Sequence, residues 1–442
     1  MPVTFKGGLH IPDHKEITNK IPIKKIDGDK IHIFPLQQHI GAPLDVLVNV
    51  GDYVYKGQTL ASSDAFVSAP IHSSISGTVT KIAPHLHPSG AEVTSIFIEN
   101  DFKNEIHPDI TPYDTDKMSS KEMIEVIKNA GIVGMGGAGF PTHVKLSPPP
   151  DKKITHVIVN GAECEPYLTS DHRRMLENAE TIIDGLKLAM KILDLDKGYI
   201  GVETNKADAI SHLKKTCEQS PEINIVPLKT KYPQGAEKQL IYAVTRKRVP
   251  SGGLPSDVGA IVLNIDTAVA ISNAFRTGMP LTERIITMTG DCYNEPCNLS
   301  APIGAPFSYL IEQAGGFSKE VSKFIMGGPM MGIAQFSTDV PVIKTTSCLL
   351  ALSDAEATYK KNTPCIRCGK CVSHCPMNLS PVYLSRYALE EDLEKCEKYN
   401  ILDCIECGLC SYLCPGLQSP VHNIRIAKQK ILENRRKANN GK

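Results

Sequence analysis

Two cysteine runs of identical spacing, close to the C-terminus, constrain this chain more than any other feature. The first extends from Cys365 to Pro376 and the second from Cys404 to Pro415, and both read C-x2-C-x2-C-x3-C-P. In this pattern three closely spaced thiolates bind one iron–sulfur cubane, and the fourth cysteine binds the other. A lone C-x2-C pair could hold zinc, but four cysteines and a proline, repeated at one spacing, favour two 4Fe–4S clusters. The segment is therefore expected to fold around two centres that carry electrons one at a time.

The pattern divides the eight cysteines into two interleaved ligand sets. We assign the first cluster to Cys365, Cys368, Cys371 and Cys414, and the second cluster to Cys404, Cys407, Cys410 and Cys375. Gly369 and Gly408 fall at matching positions, so the two runs form an internal repeat. Six other cysteines lack the pattern and are expected to be buried or incidental thiols: Cys164, Cys217, Cys292, Cys297, Cys348 and Cys396.

The composition of the chain indicates which classes of partner and which cellular compartment to expect. Lys+Arg and Asp+Glu both number 48, so no basic excess points to a nucleic-acid partner. No apolar run reaches the ~18 residues of a transmembrane helix, and the N-terminus lacks the apolar core of a signal peptide. Fourteen cysteines without an export signal favour metal ligation in a reducing cytosol.

From about Ser119, which forms a candidate capping box with Glu122, strand-like and helix-like segments alternate. Predicted strands cover residues 156–160, 198–203, 223–229 and 259–265, and predicted helices cover 171–193, 206–218, 236–246 and 266–278. This alternation predicts a mostly parallel sheet with helices on its faces. Ligands of such sheets lie beyond the carboxyl ends of the strands.

A glycine-rich loop precedes the first of these strands and reads Gly134-Met135-Gly136-Gly137-Ala138-Gly139-Phe140-Pro141-Thr142. It contains a literal G-x-G-x-x-G, but a dinucleotide fingerprint follows a strand and opens a helix, so that match is weak here. Its glycines nevertheless let backbone N–H groups approach a phosphate or a flat ring closely, and Lys145 could meet a phosphate. A flexible turn is the alternative.

Three polar segments follow predicted strands and indicate a site at one edge of the sheet. They are Asn160-Gly161-Ala162-Glu163-Cys164-Glu165-Pro166, Tyr232-Pro233-Gln234-Gly235-Ala236-Glu237 and Asn264-Ile265-Asp266-Thr267. Asn160 can bond to a heterocycle edge, and Glu163 and Glu165 could meet ribose hydroxyls or a ring N–H. Taken singly, such residues are more often helix caps, as Asn264 or Asp266 could be.

In order, the loop and these segments resemble the flavin-bearing, NADH-oxidising subunit of respiratory complex I. The resemblance implies FMN contacts at Gly134, Gly136, Gly137, Gly139, Lys145, Asn160, Tyr232, Gly235, Asn264 and Thr267. It implies nicotinamide contacts near Phe140, Glu165 and Glu237, with Glu165 as the best candidate for orienting the nicotinamide and Glu163 in the same cofactor-binding set. The chain departs from that family at Ala162, Ala236 and Leu263, where the family usually has Asp, Glu and Asn.

Two further regions carry a second resemblance. Val48–Gln58 with Ser76–Val79 is similar to a biotinyl/lipoyl-type barrel sandwich, and Pro302–Pro306 with Gly327-Gly328-Pro329 is similar to a soluble-ligand-binding β-grasp domain. Carrier domains have a modifiable lysine at the hairpin between the first two segments. Here no lysine occurs between Lys56 and Lys81, so this domain is expected to act in structure or interaction.

With these regions in this order, essentially all of the chain is similar to the C subunit of the Rnf complex, a membrane ferredoxin–NAD oxidoreductase that pumps Na⁺ or H⁺. The resemblance implies a multidomain α/β protein with five parts. They are an N-terminal barrel-sandwich hybrid (1–115), a Rossmann-like FMN/NAD-binding α/β domain (116–282), a β-grasp domain (283–350), a bacterial-type two-[4Fe-4S] ferredoxin domain (355–425) and a basic tail (426–442).

The function implied is hydride exchange between NAD(H) and FMN, followed by single-electron transfer through two [4Fe-4S] clusters to a partner subunit. A nicotinamide exchanges two electrons at once and a cluster takes one, and a flavin can do both. The implied partners are the other Rnf subunits, including a ferredoxin-type iron–sulfur subunit and integral membrane subunits. The expected location is peripheral, on the cytoplasmic face of the cell membrane. No side chain is assigned as a nucleophile or general acid.

Two alternatives remain open at this point. One is a soluble flavin and iron–sulfur reductase of a corrinoid, although such reductases lack the N-terminal barrel sandwich and place the clusters in mid-chain. The other is an electron-wire subunit without flavin, which the departures at Ala162 and Ala236 keep in consideration.

Overall fold

The computed structural model describes residues 1–357 and 361–440. The predicted domains 355–425 and 426–442 therefore each include residues, 358–360 and 441–442, that lie outside the described part. Short 3-10 helices connect the larger elements at Lys15–Ile17, Thr115–Lys117, Cys217–Gln219, Pro255–Val258 and Ile401–Asp403. Within the described ranges, no helix is long and apolar enough to cross a membrane.

The first 22 residues, here called the strap, run across other domains before the first strand begins. Val3 forms a bridge with Leu228, and Leu9 forms one with Tyr232. The backbone N–H of Gly8 donates to the carbonyl of His374, in the cysteine-rich domain, at 3.0 Å. The strap thus ties that domain to the α/β domain, whereas the sequence assigned it to the barrel sandwich.

The N-terminal domain is the predicted barrel sandwich, built from two antiparallel sheets with strand orders β2-β8-β7-β4 and β3-β5-β6. Its apolar side chains meet between the sheets and include Phe34, Leu60 and Ile96. The strands up to this point are β1 (Ile23–Lys25), β2 (Ile31–Pro35), β3 (Asp45–Val46), β4 (Tyr53–Val54), β5 (Thr59–Ser62), β6 (Ile71–His72), β7 (Gly77–Leu86) and β8 (Glu92–Asn100).

The α/β domain has a four-stranded, fully parallel sheet, as the alternation predicted. Its strands are β9 (His156–Gly161), β10 (Gly198–Glu203), β11 (Ile223–Leu228) and β12 (Ala260–Asn264), in the order β11-β10-β9-β12. Val157, Ile158 and Val159 are all fully buried, because helices cover both faces of the central strand. The strand order reverses between β9 and β12, and that switch point is where ligands of open α/β sheets bind.

Seven helices accompany this sheet: α1 (Ser120–Asn129), α2 (Thr142–Lys145), α3 (Ser170–Glu177), α4 (Ala179–Ile192), α5 (Ala207–Thr216), α6 (Glu237–Thr245) and α7 (Ile265–Arg276). The capping box of Ser119 and Glu122 is present at the start of α1. The single helix predicted over 171–193 is wrong, because Asn178 leaves the helical conformation at φ −133° and separates α3 from α4. Its side-chain oxygen accepts from the side chain of Arg174, one turn earlier, at 2.9 Å.

The β-grasp domain follows and consists of a six-stranded sheet against one helix. Its elements are β13 (Glu283–Thr289), β14 (Cys297–Pro302), α8 (Phe307–Gln313), β15 (Lys323–Met326), β16 (Ile333–Gln335) and β17 (Cys348–Leu352). The strand order is β1-β14-β13-β17-β15-β16, so β1 pairs here and not in the barrel sandwich. The β-grasp domain therefore needs a strand from the N-terminal region of the chain.

The C-terminal domain is small and helical. A short helix, α9 (Asp354–Ala357), first packs against β17 of the β-grasp domain, and the helices of the C-terminal domain are α10 (Lys370–Ser373), α11 (Pro381–Leu389), α12 (Leu393–Lys398), α13 (Leu409–Tyr412) and α14 (Pro420–Asn440). Ile424, Ala427 and Ile431 bury one face of α14 against the domain's apolar core. The basic tail expected from residue 426 is thus the continuation of a packed helix, whose first turns belong to the domain.

Candidate flavin and iron–sulfur sites

Asn160 is the last but one residue of β9 and Asn264 is the last residue of β12, and the register of these neighbouring strands sets the two residues directly opposite each other. The side-chain N–H of Asn160 donates to the carbonyl of Gly235 at 2.8 Å. The side-chain oxygen of Asn264 accepts from the backbone N–H of Asp266 at 2.9 Å and caps α7, as its position predicted. The three polar segments identified in the sequence therefore meet at the switch point of the sheet.

The glycine-rich loop lies against the start of α7. The backbone N–H of Met135 donates to the hydroxyl of Thr267 at 3.2 Å. A Cβ on Gly136 would lie 2.9 Å from the side-chain nitrogen of Asn264, so only glycine allows this approach. A Cβ on Gly137 would meet nothing within 4 Å, so that side of the loop is open. An exposed glycine backbone facing a helix N-terminus provides the cradle that a phosphate-bearing, planar group such as FMN requires.

Lys145, predicted to meet a phosphate, lies at the same site but pairs with a second candidate residue. Its ammonium nitrogen is 3.0 Å from the carboxylate of Glu237 and 3.1 Å from the carbonyl of Val262. Phe140 is half-buried, and its carbonyl accepts from the N–H of Gly134 at 2.8 Å, which closes the base of the loop. The pair of Lys145 and Glu237 therefore lies beside β12, whereas the contact of Phe140 is within the glycine-rich loop.

Glu163 and Glu165 lie in the turn that follows β9, here called the acidic turn (162–166), and both carboxylates point into the protein. Glu163 adopts a left-handed backbone (φ 46°), and its carboxylate accepts from the N–H of Asp171 at 2.7 Å. The carboxylate of Glu165 accepts from the N–H groups of Met330 and Met331, at 2.6 and 3.1 Å. Burial raises the pKa of Glu165, and these two N–H groups act against that rise. The side chain expected to orient a nicotinamide thus has partners in the β-grasp domain.

Two buried lysines that the sequence did not single out support the acidic turn from below. The ammonium of Lys15, in the strap, donates to the carbonyls of Glu165 and Leu168, and it lies 3.7 Å from the carboxylate of Glu163. The ammonium of Lys206 donates to the carbonyl of Ala162 at 2.7 Å. The turn is therefore fixed by two cations that come from distant parts of the sequence.

A buried charge network that the sequence also did not reveal lies beside Asn264. Asp266 pairs with Arg174 and with Arg284, each at 2.8 Å. Asp171 accepts from the side-chain N–H of Asn264 at 2.9 Å. Burial, followed by the charges of Glu163 and Asp266, raises the pKa of Asp171 well above its usual value. A buried carboxyl group with a raised pKa therefore lies next to the candidate flavin contact.

Tyr232 and Gly235 lie between the acidic turn and the cysteine-rich domain. Tyr232 is buried, and its hydroxyl donates to the carbonyl of Cys407 at 2.7 Å. The N–H of Gly235 contacts the sulfur of Cys164 at 3.3 Å. Burial raises the pKa of Cys164 well above that of a free thiol, so it is a structural thiol and not a reactive one. The candidate flavin site is consequently continuous with a cysteine of the second set.

The second set of cysteines lies around one cavity of the C-terminal domain. Cys375, Cys404, Cys407 and Cys410 line one apolar cavity, together with Cys371 of the first set. Burial, and then the charges of neighbouring thiols, raises the pKa of both Cys407 and Cys410 to about 12. Cysteine thiols that line an apolar cavity are suited to an iron–sulfur cluster, whose iron ions would stabilise the thiolate form. The N–H groups of Leu379 and Glu406 donate to the sulfurs of Cys375 and Cys404, each at 3.4 Å, and such bonds tune cluster potentials.

The first set is more open to solvent. Cys365 and Cys368 are exposed, and Cys371 and Cys414 are half-buried. The backbone N–H of Thr363 donates to the carbonyl of Gly416 at 2.9 Å, which brings the segment before Cys365 next to the segment after Cys414. The crossing of ligands between the two runs predicted from the spacing is thus compatible with the chain path.

Family models match the chain in four successive parts, in the order expected. They are the RnfC barrel sandwich hybrid domain over residues 3–103, the Nuo51 FMN-binding domain over 127–273, the SLBB domain over 285–334 and a 4Fe-4S dicluster domain over 357–415. The C subunit of the Na(+)-translocating ferredoxin:NAD(+) oxidoreductase complex of Acetobacterium woodii is 48% identical over 401 residues, which is 90% of each chain. The chain belongs to the RnfC family.

A second RnfC relative gives the same result. The C subunit of the proton-translocating ferredoxin:NAD(+) oxidoreductase complex of Clostridium ljungdahlii is 48% identical over 404 residues, or 90% of this chain and 88% of the relative. Among solved structures, the air-oxidized NAD+-reducing [NiFe]-hydrogenase matches with a TM-score of 0.50 at 18% identity, over 64% of this chain and 55% of that chain. That likeness concerns the fold alone.

These matches confirm the multidomain α/β fold, and they identify an FMN-binding domain and a two-cluster [4Fe-4S] domain in an oxidoreductase family. The agreement along the whole RnfC chain disfavours the corrinoid-reductase alternative. The assignment of individual residues to FMN, NAD(H) and the two clusters remains a prediction.

Proposed function

We propose that this chain is the peripheral electron-input/output subunit of a membrane-bound ferredoxin:NAD⁺ oxidoreductase complex that couples electron transfer to Na⁺ or H⁺ translocation. The names of the two relatives, which are equally similar to this chain, specify different ions. The ion is therefore left unassigned. One observation carries the proposal. Contacts connect the glycine-rich loop, through Asn160 and Tyr232, to the cavity lined by the second set of cysteines.

Each part of this path has a role in the proposed reaction. FMN supplies the exchange between a two-electron hydride and single electrons. The open backbone at Gly137 and the N-terminus of α7 bind its phosphate-bearing part, and Asn160 and Asn264 fix its orientation. Phe140 and Glu237 would receive the nicotinamide, and Glu163 and Glu165, whose carboxylates point into the protein, would fix the turn beside it.

The position of Tyr232 supports an order for the clusters. Its hydroxyl contacts Cys407, a ligand of the second cluster, while the first set of cysteines lies towards solvent. The second set of cysteines would therefore hold the cluster nearer the flavin, and the first set would hold the cluster from which electrons leave when NADH is the donor. The reverse direction uses the same order backwards.

The surface beside the first set of cysteines, from which electrons would leave, is here called the exit surface and is apolar. Ile366, between two ligands of the first cluster, and Leu417, just after Cys414, are exposed, as is Tyr412. We assign this surface to a ferredoxin-type iron–sulfur subunit of the complex, which would shield the first cluster from water and receive its electrons. The location that follows is peripheral, on the cytoplasmic face of the membrane, next to integral membrane subunits.

The decisive experiment uses the full chain purified without oxygen. We expect about eight iron atoms and one FMN per chain, measured by iron assay and by fluorescence of the acid-released flavin. Addition of NADH should bleach the cluster absorbance. A preparation with two clusters and no flavin would instead support the electron-wire alternative.

The exit surface has its own test. Ile366→Ser should weaken binding of the chain to its complex while NADH still bleaches both clusters. Leu47→Ser, an equally apolar change at an exposed site in the barrel sandwich, is the control. Equal binding by both variants would exclude this surface as the contact.

A further inference from the structure

The loop that joins β15 to β16, here called the methionine loop, comprises Gly327-Gly328-Pro329-Met330-Met331-Gly332. It belongs to the β-grasp domain, yet it lies between the acidic turn of the α/β domain and the cysteine-rich domain. The roles proposed for the flavin site and for the clusters do not require a β-grasp loop at the boundary between the flavin site and the second cluster.

The first contact of the methionine loop is with Glu165. One carboxylate oxygen accepts from two successive N–H groups, those of Met330 and Met331. A Cβ on Gly328 would lie 2.1 Å from the Cγ of Glu165, so the loop backbone packs directly on this side chain. Hydrogen bonds to an ionised group are roughly twice as strong as neutral ones. The carboxylate is therefore the main polar attachment of the loop to the α/β domain.

The second contact is with the ligand loop of the second cluster. The carbonyl oxygen of Met330 lies where Gly408 has no side chain, since a Cβ there would be 2.8 Å from it. Gly408 has a φ of 79°, which also favours glycine. The side chain of Met330 packs against an apolar cluster that contains Cys407, Leu409 and Tyr232. Met331, the next residue, is instead exposed.

We propose that the methionine loop is a positioning element for electron transfer. Glu165 binds the loop through two backbone N–H groups, and Met330 positions the Cys407–Gly408 turn of the second cluster against the flavin domain. The proposal rests on the cofactors of the proposed function. It gives the β-grasp domain a defined part in the reaction, and it makes Glu165 and Met330 positioning residues.

The step served by this contact is a one-electron transfer in which no bond forms or breaks. One electron leaves the reduced flavin cofactor and enters the oxidised second cluster. Each NADH supplies a hydride, whose two electrons leave in two such steps and whose proton passes to water. The packing of Met330 matters because a small displacement at a reacting site can lower a rate by orders of magnitude.

Two adjacent methionines provide a matched test in the full chain purified without oxygen. In Met330→Ala we expect unchanged iron and FMN content, an altered EPR spectrum or midpoint potential for the second cluster only, and roughly tenfold slower reduction of that cluster by NADH. Met331→Ala should match the unchanged protein, and Met330→Leu, which keeps the apolar volume, should restore most of the rate. Identical cluster spectra and rates in Met330→Ala and Met331→Ala would overturn the proposal.

A change at Glu165 separates the positioning role from contact with the nicotinamide. Glu165→Ala should alter the EPR spectrum of the second cluster even when dithionite, which bypasses the flavin site, is the reductant. It should also speed hydrogen exchange at the N–H groups of Met330 and Met331. A dithionite-reduced spectrum identical to that of the unchanged protein, with only NADH-driven reduction impaired, would contradict the positioning role. Because the dithionite arm needs neither FMN nor NADH, it tests this inference even if the proposed hydride exchange fails.

Discussion

The hydroxyl of Tyr232 donates a hydrogen bond to the carbonyl oxygen of Cys407, and the two oxygen atoms are 2.7 Å apart. Both residues are buried, and they belong to different domains. A flavin-type sheet and an iron–sulfur domain could be joined by a flexible linker, but here a candidate flavin contact bonds to a candidate cluster ligand. The electron path proposed above depends on this junction.

Removal of this hydroxyl in Tyr232→Phe leaves the carbonyl of Cys407 buried without its donor. We expect a loss of about 1–3 kcal/mol in stability, seen as a lower unfolding midpoint of the cysteine-rich domain. The ring and its packing remain, so FMN and iron content should not change. Tyr383→Phe, at an exposed position, is the control. Equal midpoints for the two variants would show that the bond contributes nothing.

The crossed ligand sets predict which cysteines act together. Cys375→Ser and Cys404→Ser should both lose the second cluster and keep the EPR signal of the first. Cys414→Ser and Cys368→Ser should show the opposite pattern. Cys396→Ser, a buried cysteine in the same domain, should keep both clusters. If Cys375→Ser instead removed the same cluster as Cys368→Ser, the ligands would not cross.

The motifs that indicate two clusters and a flavin-binding domain could be recognised in the sequence because each motif is local. Cysteine spacing specifies the cubane pattern, and strand ends followed by Asn160 and Asn264 indicate one edge of a parallel sheet. The capping box at Ser119 is equally local. Each motif lies within a short stretch of sequence, whereas the crossing of Cys375 and Cys414 between the two cysteine runs stays a prediction.

The residues that fix the site could not be predicted, because they act over long sequence separations. Lys15 and Leu168 are 153 positions apart, and Glu165 and Met330 are 165 apart. No spacing in the sequence links such pairs. The break at Asn178 was missed for a related reason, since its partner Arg174 is oriented by a tertiary ion pair with Asp266.

Lys15→Met tests the cation beneath the acidic turn. The change removes the donor to two carbonyls and leaves the carboxylate of Glu163 buried without its nearest cation. A loss of about 3–5 kcal/mol is expected from an uncompensated buried charge, measured as a lower unfolding midpoint of the full chain. Lys20→Met, at an exposed position of the strap, should change little. A similar midpoint for both variants would exclude a structural role for Lys15.

The raised pKa of Asp171 predicts the direction in which the stability of the protein changes with pH. Its pKa is raised in the folded state by burial, so its neutral form stabilises the fold at low pH, and that contribution is lost as pH rises through the folded pKa. Asp171→Asn should therefore become more stable than the unchanged protein towards alkaline pH, measured as unfolding midpoints between pH 5 and 8. Asp184→Asn is the control: hydrogen bonds from Arg276 and Ser272 lower the pKa of Asp184, so its contribution is lost only at acidic pH and its stability difference should stay constant between pH 5 and 8. Parallel profiles for the two variants would contradict the assignment.

Gly137→Ala tests the cofactor cradle most directly, because the added methyl group meets no protein atom within 4 Å. The stability of the cofactor-free chain should therefore stay the same. If FMN binds against this part of the loop, the methyl group occupies its space and the dissociation constant should rise about tenfold or more, a loss of about 1.4 kcal/mol. The measurement is fluorescence titration of the flavin-depleted chain.

Gly136→Ala differs, because its methyl group would collide with Asn264 and should lower stability as well as FMN affinity. Unchanged FMN affinity in Gly137→Ala would mean that the open side of the loop does not face the flavin.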